Sequence, residues 1–409
     1  AGYSTTTGIQ NTAVGRASLN ANTTGSYNTA IGWSALNANT TADNNTAVGY
    51  LSLSGNTTGT LNTAVGMRSL QVSTTATRMV AVGYNALSTY SASGQADNVA
   101  IGLNALNALA SGTSNTGVGN YALSSNGGAS GSYNTAVGTY ALQANTTASA
   151  NTAVGYQAAY TQTTATRVTA IGYQAAKGGT NAAPSYSVAV GAYALSAVTT
   201  GDSNTALGDA AMSSTTTGGA NVAVGQGALS SNTTGSNNVA NGYYALVNNT
   251  TASNNTAVGY QAGYSNQTGT RITAVGYQAA FNTTTGYHTA VGWGALVANT
   301  TGANNNSFGE ATLYSNTTGS YNSAFGNGSL YANTTGSQNT AYGVESLRYS
   351  TSASYNTAVG FQSLYSNTTG LENTAIGRVS GFSNTTGSYN AFLGHDSGYN
   401  ATASYNTFV

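Results

Sequence analysis

The sequence predicts an all-β fold, a parallel β-solenoid of about 23 coils of 17 residues with two short strands per coil. Three observations lead to this prediction: a short repeat fills the chain, each repeat is rich in turn-forming residues, and charged residues are scarce. Only 4% of the 409 residues are charged, eight Lys or Arg against eight Asp or Glu, with 53 glycines and no cysteine. Average soluble domains have about a quarter of their residues charged, so the surface of an ordinary enzyme cannot be built from this chain. Disorder is not indicated either, because 29 tyrosines and a 40% hydrophobic fraction are spread along the chain.

The repeat is marked by a glycine that recurs from Gly15 to Gly394. Of the 22 intervals between these glycines, 18 are 17 residues long, three are 19 and one is 16. The repeat unit is Asn-Thr-Ala-Val-Gly, two variable residues, Ala or Ser, Leu, two variable residues and Asn-Thr-Thr-Gly-Ser-Tyr. This unit is too short for the helix pairs of α-solenoids, which need about 33 residues. Its Gly, Asn, Thr and Ser residues also lower helix propensity.

Each element of the coil follows from the repeat unit in order. Asn-Thr-Ala-Val predicts a first strand, the glycine a corner, Ala-Leu a second strand and Asn-Thr-Thr-Gly a wide turn. Stacked coils then pair in parallel, about 4.8 Å apart. All four length changes fall in the wide turn, at residues 88–94, 125–129, 177–184 and 281–286, and Pro184 lies in one of them. We therefore expect residues 1–409 to form a single continuous solenoid domain about 110 Å long at this spacing. We also expect this domain to be a section of a longer fibre.

Residue size predicts a narrow interior. Small residues occur three positions after the glycine, as at Ser18, and two positions before it, as at Ala13. We expect these residues inside, which places the Val14 and Leu19 series on the outer face because side chains alternate along a strand. The alternative places Val and Leu inside. If they face outward, they form apolar stripes that need burial against another chain.

The motif resembles the head repeat of YadA-like trimeric autotransporter adhesins, which have an Asn-Ser-Val-Ala-Ile-Gly-x-x-Ser pattern. The matching residues are Asn45-Thr46-Ala47-Val48-Gly49 followed by Ser52, and the match recurs along the chain. Residues 187–191, Ser-Val-Ala-Val-Gly, are closest to the family form. The resemblance implies a left-handed β-roll, association into a trimer, and binding of host matrix or cells. Similar repeats are typical of bacteriophage tail fibres.

Aromatic residues occur at two fixed positions of the repeat, where one ring per coil can stack on the next. The series that follows the glycine, our candidate for a surface or interface ladder, comprises Trp33, Tyr50, Tyr84, Tyr156, Tyr173, Tyr243, Tyr260, Tyr277, Trp293 and Phe361. The series before the motif comprises Tyr27, Tyr133, Tyr186, Tyr287, Tyr321, Tyr355, Tyr389 and Tyr405. Corner packing or an inter-chain seam is the interpretation we favour; a carbohydrate- or protein-binding face is the alternative.

The Asn-Thr-Thr turns have two interpretations. Asn-x-Thr is formally a glycan acceptor, so the candidates are Asn22, Asn56, Asn232, Asn316, Asn333, Asn367 and Asn384. The favoured alternative is a ladder of asparagine amides that continues the backbone hydrogen bonding between coils. The threonine rows also suggest a third, less favoured function, ice binding, although loops of differing length interrupt them.

Catalysis has little support in the sequence. The histidines His288 and His395 are six coils apart, about 30 Å at this rise, and Glu310 and Glu345 have no converging partner. No cysteine, calcium-binding motif, basic cluster or long apolar run is present. We expect no catalytic residue, no metal or cofactor, no nucleic acid and no membrane insertion.

The sequence therefore predicts a structural, non-catalytic fibre or filament subunit with a surface-adhesion role. We expect it outside the cell, on a cell or virion surface, self-associated as a homotrimer or a head-to-tail filament, and in contact with a host surface protein or carbohydrate. The alternative is a ligand-binding head for a host receptor, carbohydrate or ice, presented on the same solenoid.

Overall fold

The computed structural model describes residues 4–125, 129–179 and 182–409. Over these residues it contains no helix, and it confirms the predicted fold class, a parallel β-solenoid of about 23 coils with about 17 residues per turn. Each coil has one main strand, which lies at the predicted Thr-Ala-Val segment. The predicted second strand at Ala-Leu is wrong, because that segment forms turns.

Contacts divide the chain into two compact units, Ala1–Asn204 and Thr205–Val409. The single continuous domain stays a prediction. The strands of the first unit are β1 (Thr12–Val14), β2 (Thr29–Ile31), β3 (Thr46–Val48), β4 (Thr63–Val65), β5 (Ala76–Thr77), β6 (Val80–Val82), β7 (Gly94–Gln95), β8 (Val99–Ile101), β9 (Thr116–Val118), β10 (Thr135–Val137), β11 (Thr152–Val154), β12 (Thr169–Ile171) and β13 (Val188–Val190). The strands of the second unit are β14 (Thr205–Leu207), β15 (Val222–Val224), β16 (Val239–Asn241), β17 (Thr256–Val258), β18 (Ile272–Val275), β19 (His288–Val291), β20 (Asn306–Phe308), β21 (Ser323–Phe325), β22 (Thr340–Tyr342), β23 (Thr357–Val359), β24 (Thr374–Ile376), β25 (Ala391–Leu393) and β26 (Thr407–Phe408).

Within each unit, main strands of consecutive coils pair in parallel at the same position of the repeat. In the first unit, Ala13 of β1 lies opposite Ala30 of β2. In the second unit, Ala257 of β17 lies opposite Ala274 of β18. This register places equivalent side chains directly above one another, so each position of the repeat becomes a ladder along its unit.

Small residues fill the interior, as predicted. Ala30 and Ala47 are fully buried on the strand side, and Ala35 and Ser52 are fully buried on the side opposite. The Ser52 hydroxyl donates a hydrogen bond across the coil to the carbonyl of Ala64, at 2.8 Å. The two walls therefore approach closely enough for a direct side-chain to backbone contact.

The leucines lie inside the coil, which corrects our placement of them on the outer face. Leu19 and Leu36 are buried, whereas Val14 and Ile31 are exposed as expected. The reason is the backbone, because Leu36 has a φ of 52°. Side chains alternate between faces only in an extended strand, and a left-handed residue breaks that alternation and turns leucine inward.

The recurring glycine is required where coils meet. Gly276 has a φ of +135°, and a Cβ at this position would lie 2.4 Å from the carbonyl oxygen of Gly292 in the next coil. Both the backbone conformation and the close approach exclude a side chain. This explains the constancy of the corner glycine.

The wide turn absorbs the length changes. At the first 19-residue interval it gains a small second sheet, in which Ala76 of β5 lies opposite Gly94 of β7. Residues 126–128 and 180–181 of the other two expanded turns lie outside the described residues. Pro184 lies outside every described strand, as expected.

Candidate functional surface

The Asn-Thr-Thr turns contain a buried ladder of amides, the alternative that the sequence favoured. In the first unit, Nδ2 of Asn39 donates to Oδ1 of Asn22 at 2.8 Å, and Nδ2 of Asn22 donates to the carbonyl of Gly25 at 2.9 Å. In the second unit, Nδ2 of Asn316 donates to Oδ1 of Asn299 at 2.8 Å. The amides thus join neighbouring coils and close their own turns.

The burial of these asparagines favours the amide ladder over the glycan acceptors in the folded coil. A glycan needs an exposed Nδ2 atom, whereas these nitrogens are buried and donate hydrogen bonds within the coil. The seven candidates are all fully buried: Asn22, Asn56, Asn232, Asn316, Asn333, Asn367 and Asn384. Glycosylation of these asparagines stays a prediction, and it would require their turns to open.

The threonine after each ladder asparagine also bonds to the next coil. Oγ1 of Thr23 donates to the carbonyl of Thr40 at 3.0 Å, and Oγ1 of Thr40 donates to the carbonyl of Thr57 at 3.1 Å. These hydroxyl donors are used in coil stacking. The first threonine of the Asn-Thr-Thr row is thus structural, which leaves it a poor basis for ice binding.

A second amide ladder precedes most of the described main strands, and the sequence reading missed it. Oδ1 of Asn28 accepts the backbone N–H of Asn45 at 3.0 Å, and Nδ2 of Asn45 donates to the carbonyl of Gly59 at 2.9 Å. The signal was available, because Asn is as regular at the first position of the motif as in the wide turn.

His288 replaces asparagine in this second ladder. Its Nδ1 accepts the backbone N–H of Asn305 at 3.3 Å, and its Nε2 lies 3.1 Å from Oγ1 of Thr285. Burial lowers the pKa of His288 to about 4, although hydrogen bonds with the backbone of Asn305 and Gly302 act in the opposite direction. The ring is therefore a neutral structural substitute for an amide.

The aromatic residues that follow the glycine form stacked ladders. In the second unit Tyr243, Tyr260, Tyr277 and Trp293 stack in sequence, with centroids 5.5, 5.2 and 6.2 Å apart. In the first unit the described members of this series form the shorter stacks Trp33–Tyr50 at 4.9 Å and Tyr156–Tyr173 at 5.4 Å. The remaining candidates, Tyr84 and Phe361, contact no other ring among the described residues.

Rings at other positions extend these ladders, and the sequence reading did not single them out. Tyr314 stacks on Trp293 at 6.1 Å and on Tyr331 at 5.2 Å, and the guanidinium of Arg348 lies 5.0 Å from the Tyr331 ring centre. Further stacks are Phe308–Phe325–Tyr342, Tyr264–Phe281 and Tyr365–Phe382–Tyr399. The signal was an aromatic residue at one position of the repeat in consecutive coils: directly before the glycine for the stack that begins at Phe308, and five positions after it for the others.

Stacking determines which surfaces of the aromatic rings a ligand can reach. In the ladder from Tyr243 to Trp293, the faces of Tyr260 and Tyr277 are covered by the rings above and below. A sugar ring binds an aromatic side chain through its flat face, so these inner rings offer it only their edges. The geometry favours a structural role for the ladder, consistent with the interpretation that the sequence favoured.

Acidic side chains are engaged with neighbours. Oε1 of Glu345 lies 3.0 Å from Nη1 of Arg348, and its Oε2 accepts from Gln362 at 2.7 Å. Glu310 accepts from Asn327 at 3.2 Å. Within the described part of the chain no group of three or more His, Cys, Asp or Glu residues could hold a metal ion.

The outer face of the strands is uncharged. Thr is the usual residue at the first outward position of each described main strand, and the position before the glycine is apolar except at Asn241. Ile31, Ile101 and Ile376 in the position before the glycine are about two-fifths exposed or more, and Phe308 and Phe325 stack in the same position at 4.6 Å. None of the residues in the described strands is Asp, Glu, Lys or Arg. The valine series thus forms a partly exposed apolar stripe along each unit, interrupted at Asn241 in the second unit.

Comparison with protein-family models and with curated proteins found no match to this chain. Among the described residues, no helix is long and apolar enough to span a bilayer.

Proposed function

We propose that this chain is a structural, non-catalytic subunit of an extracellular fibre or filament with a surface-adhesion role, and that it self-associates. The observation that supports the proposal best is the apolar stripe on the outer strand face, where Val, Ile, Leu or an aromatic residue stands before the glycine in every described coil except at Asn241. Exposed apolar patches of this extent mark interaction sites.

Charge supports the same proposal. Eight positive and eight negative residues in 409 leave a formal net charge of zero. A net charge far from zero keeps proteins apart in solution, and this chain has no such repulsion. A second copy of the chain has the same coil spacing, so its stripe can meet the first stripe residue for residue.

Self-association is tested by introducing charge on the stripe. Val258 and Val275 are half-buried neighbours on β17 and β18. We expect the wild-type chain to form assemblies in sedimentation velocity experiments and the Val258→Glu, Val275→Glu variant to remain monomeric. Circular dichroism establishes that the variant is folded.

The matched control carries the same charges on the exposed wide turn, as Thr251→Glu and Thr268→Glu, and should assemble like the wild type. Should the Val variant unfold, Val258→Thr with Val275→Thr replaces it and should weaken assembly without adding charge. A wild-type chain that stays monomeric at high concentration would overturn the proposal.

A further inference from the structure

The coils have no disulfide to join them, because the chain contains no cysteine. It contains 29 tyrosines, and many are exposed and in contact with the tyrosine of a neighbouring coil. The pair with the largest exposure is Tyr389 and Tyr405, whose side chains are 45% and 78% exposed. Their rings are parallel to within 6° with centroids 4.9 Å apart.

We propose that Tyr389 and Tyr405 are a site of oxidative modification, at which a peroxidase and hydrogen peroxide couple the two phenols into dityrosine. The same chemistry applies to the less exposed ladder of Tyr243, Tyr260 and Tyr277. In each case the bond joins consecutive coils. This inference does not depend on self-association.

The reaction balances as follows. Each phenol loses one electron and its hydroxyl proton, which gives two neighbouring phenoxyl radicals. The radicals combine through a new C–C bond between carbons ortho to oxygen, and the hydrogen on each of these carbons moves to oxygen to restore the phenols. In total two electrons and two protons leave the pair, and hydrogen peroxide takes them up to become two molecules of water.

The arrangement favours coupling within one molecule. Phenoxyl radicals at a contact of 4.9 Å meet by side-chain rotation, which is much faster than an encounter between two chains. The exposure of both rings leaves room for this rotation and for access of a small oxidant. Tyr389 precedes β25 and Tyr405 precedes β26, so the product would fasten these two parallel strands.

The chain contains its own controls. Tyr365 and Phe382 stack at 4.9 Å, and Phe382 and Tyr399 stack at 5.0 Å, in the same parallel geometry. These pairs cannot couple, because phenylalanine has no phenol to oxidise. Tyr321 is 62% exposed but contacts no other ring among the described residues, so it can couple only between molecules.

The experiment treats the dilute full-length chain with horseradish peroxidase and hydrogen peroxide, and follows dityrosine fluorescence and cross-linked peptides by mass spectrometry. Cleavage after Arg378 and before Asp396 separates Tyr389 from Tyr405, so the coupled product is a pair of peptides. A mixture of unlabelled and nitrogen-15-labelled chains shows whether the two peptides come from one molecule.

We expect the Tyr389–Tyr405 product as the main cross-link, with both peptides carrying the same label. Tyr405→Phe preserves the stack and should abolish this product, whereas Tyr321→Phe should leave it unchanged. The cross-linked chain should also show slower hydrogen exchange in β26. Absence of the product while free tyrosine in the same reaction is oxidised, or a product with randomly mixed labels, would overturn the proposal.

Discussion

The buried amide ladder predicts a large local cost for removing one of its members. Asn316 is fully buried; its Nδ2 donates to Oδ1 of Asn299 at 2.8 Å and to the carbonyl of Gly319 at 3.0 Å. Its Oδ1 accepts from Asn333 at 2.7 Å. Asn316→Ala leaves two buried acceptors without this donor, and a buried polar group left unpaired costs about 1–3 kcal/mol.

We therefore expect Asn316→Ala to destabilise its coil and the coils on either side by about 3 kcal/mol. Solenoid coils open locally, so native-state hydrogen exchange is the appropriate assay. The loss corresponds to exchange about a hundredfold faster in this part of the unit. Asn306→Ala, at an exposed strand position, is the control and should change exchange little. If the coils around residue 316 exchanged at the wild-type rate in the Asn316→Ala variant, the reasoning that the ladder holds the coils together would be refuted.

Three further predictions concern the interior. Leu330→Ala removes a fully buried side chain and should lower the free energy of unfolding in urea by about 3 kcal/mol; a wild-type value would contradict inward-facing leucines. Gly276→Ala places a Cβ 2.4 Å from a neighbouring carbonyl oxygen and should abolish the native circular dichroism, whereas Gly394→Ala, with a φ of +119° but its nearest neighbour 4.0 Å away, should be far milder. His288 has a pKa of about 4 in the folded chain and about 6.5 unfolded, so the unfolded chain binds the proton first as pH falls. Stability should be constant above about pH 6.5 and decline by about 3 kcal/mol in total down to about pH 4; His288→Asn should remove this decline in urea titrations, and a flat wild-type curve would contradict it.

The sequence predicted the strand side of the coil well, because that side follows ordinary β rules. The regular spacing of the glycines predicted the coil length. The small size of Ala30 and Ala35 predicted that both lie inside, and both are buried. The outward placement predicted for Leu36 was wrong because it assumed an extended strand, whereas Leu36 has a positive φ. Leucine rarely adopts a positive φ, so the residue type gives no indication of it. A predicted second strand failed for the same reason.

The candidate surface was predictable only in part. Aromatic positions in consecutive coils correctly indicated stacking for Tyr260 and Tyr277. The chemistry of Asn316 was open to two interpretations, because the same three letters describe a glycan acceptor and a buried amide ladder. Only the direction of the side chain separates them, and that direction depends on the turn rather than on the residue types.

The register of the coils has a consequence for how such a gene can change. Each coil within a unit presents to the next the same backbone pattern that it accepts from the one before, as Ala257 and Ala274 illustrate. Loss or duplication of one 17-residue segment by unequal recombination would leave every remaining interface intact. Length is therefore free to drift between descendants without new contacts having to evolve, whereas a side chain at a corner glycine between two stacked coils, such as Gly276, meets the backbone of the next coil.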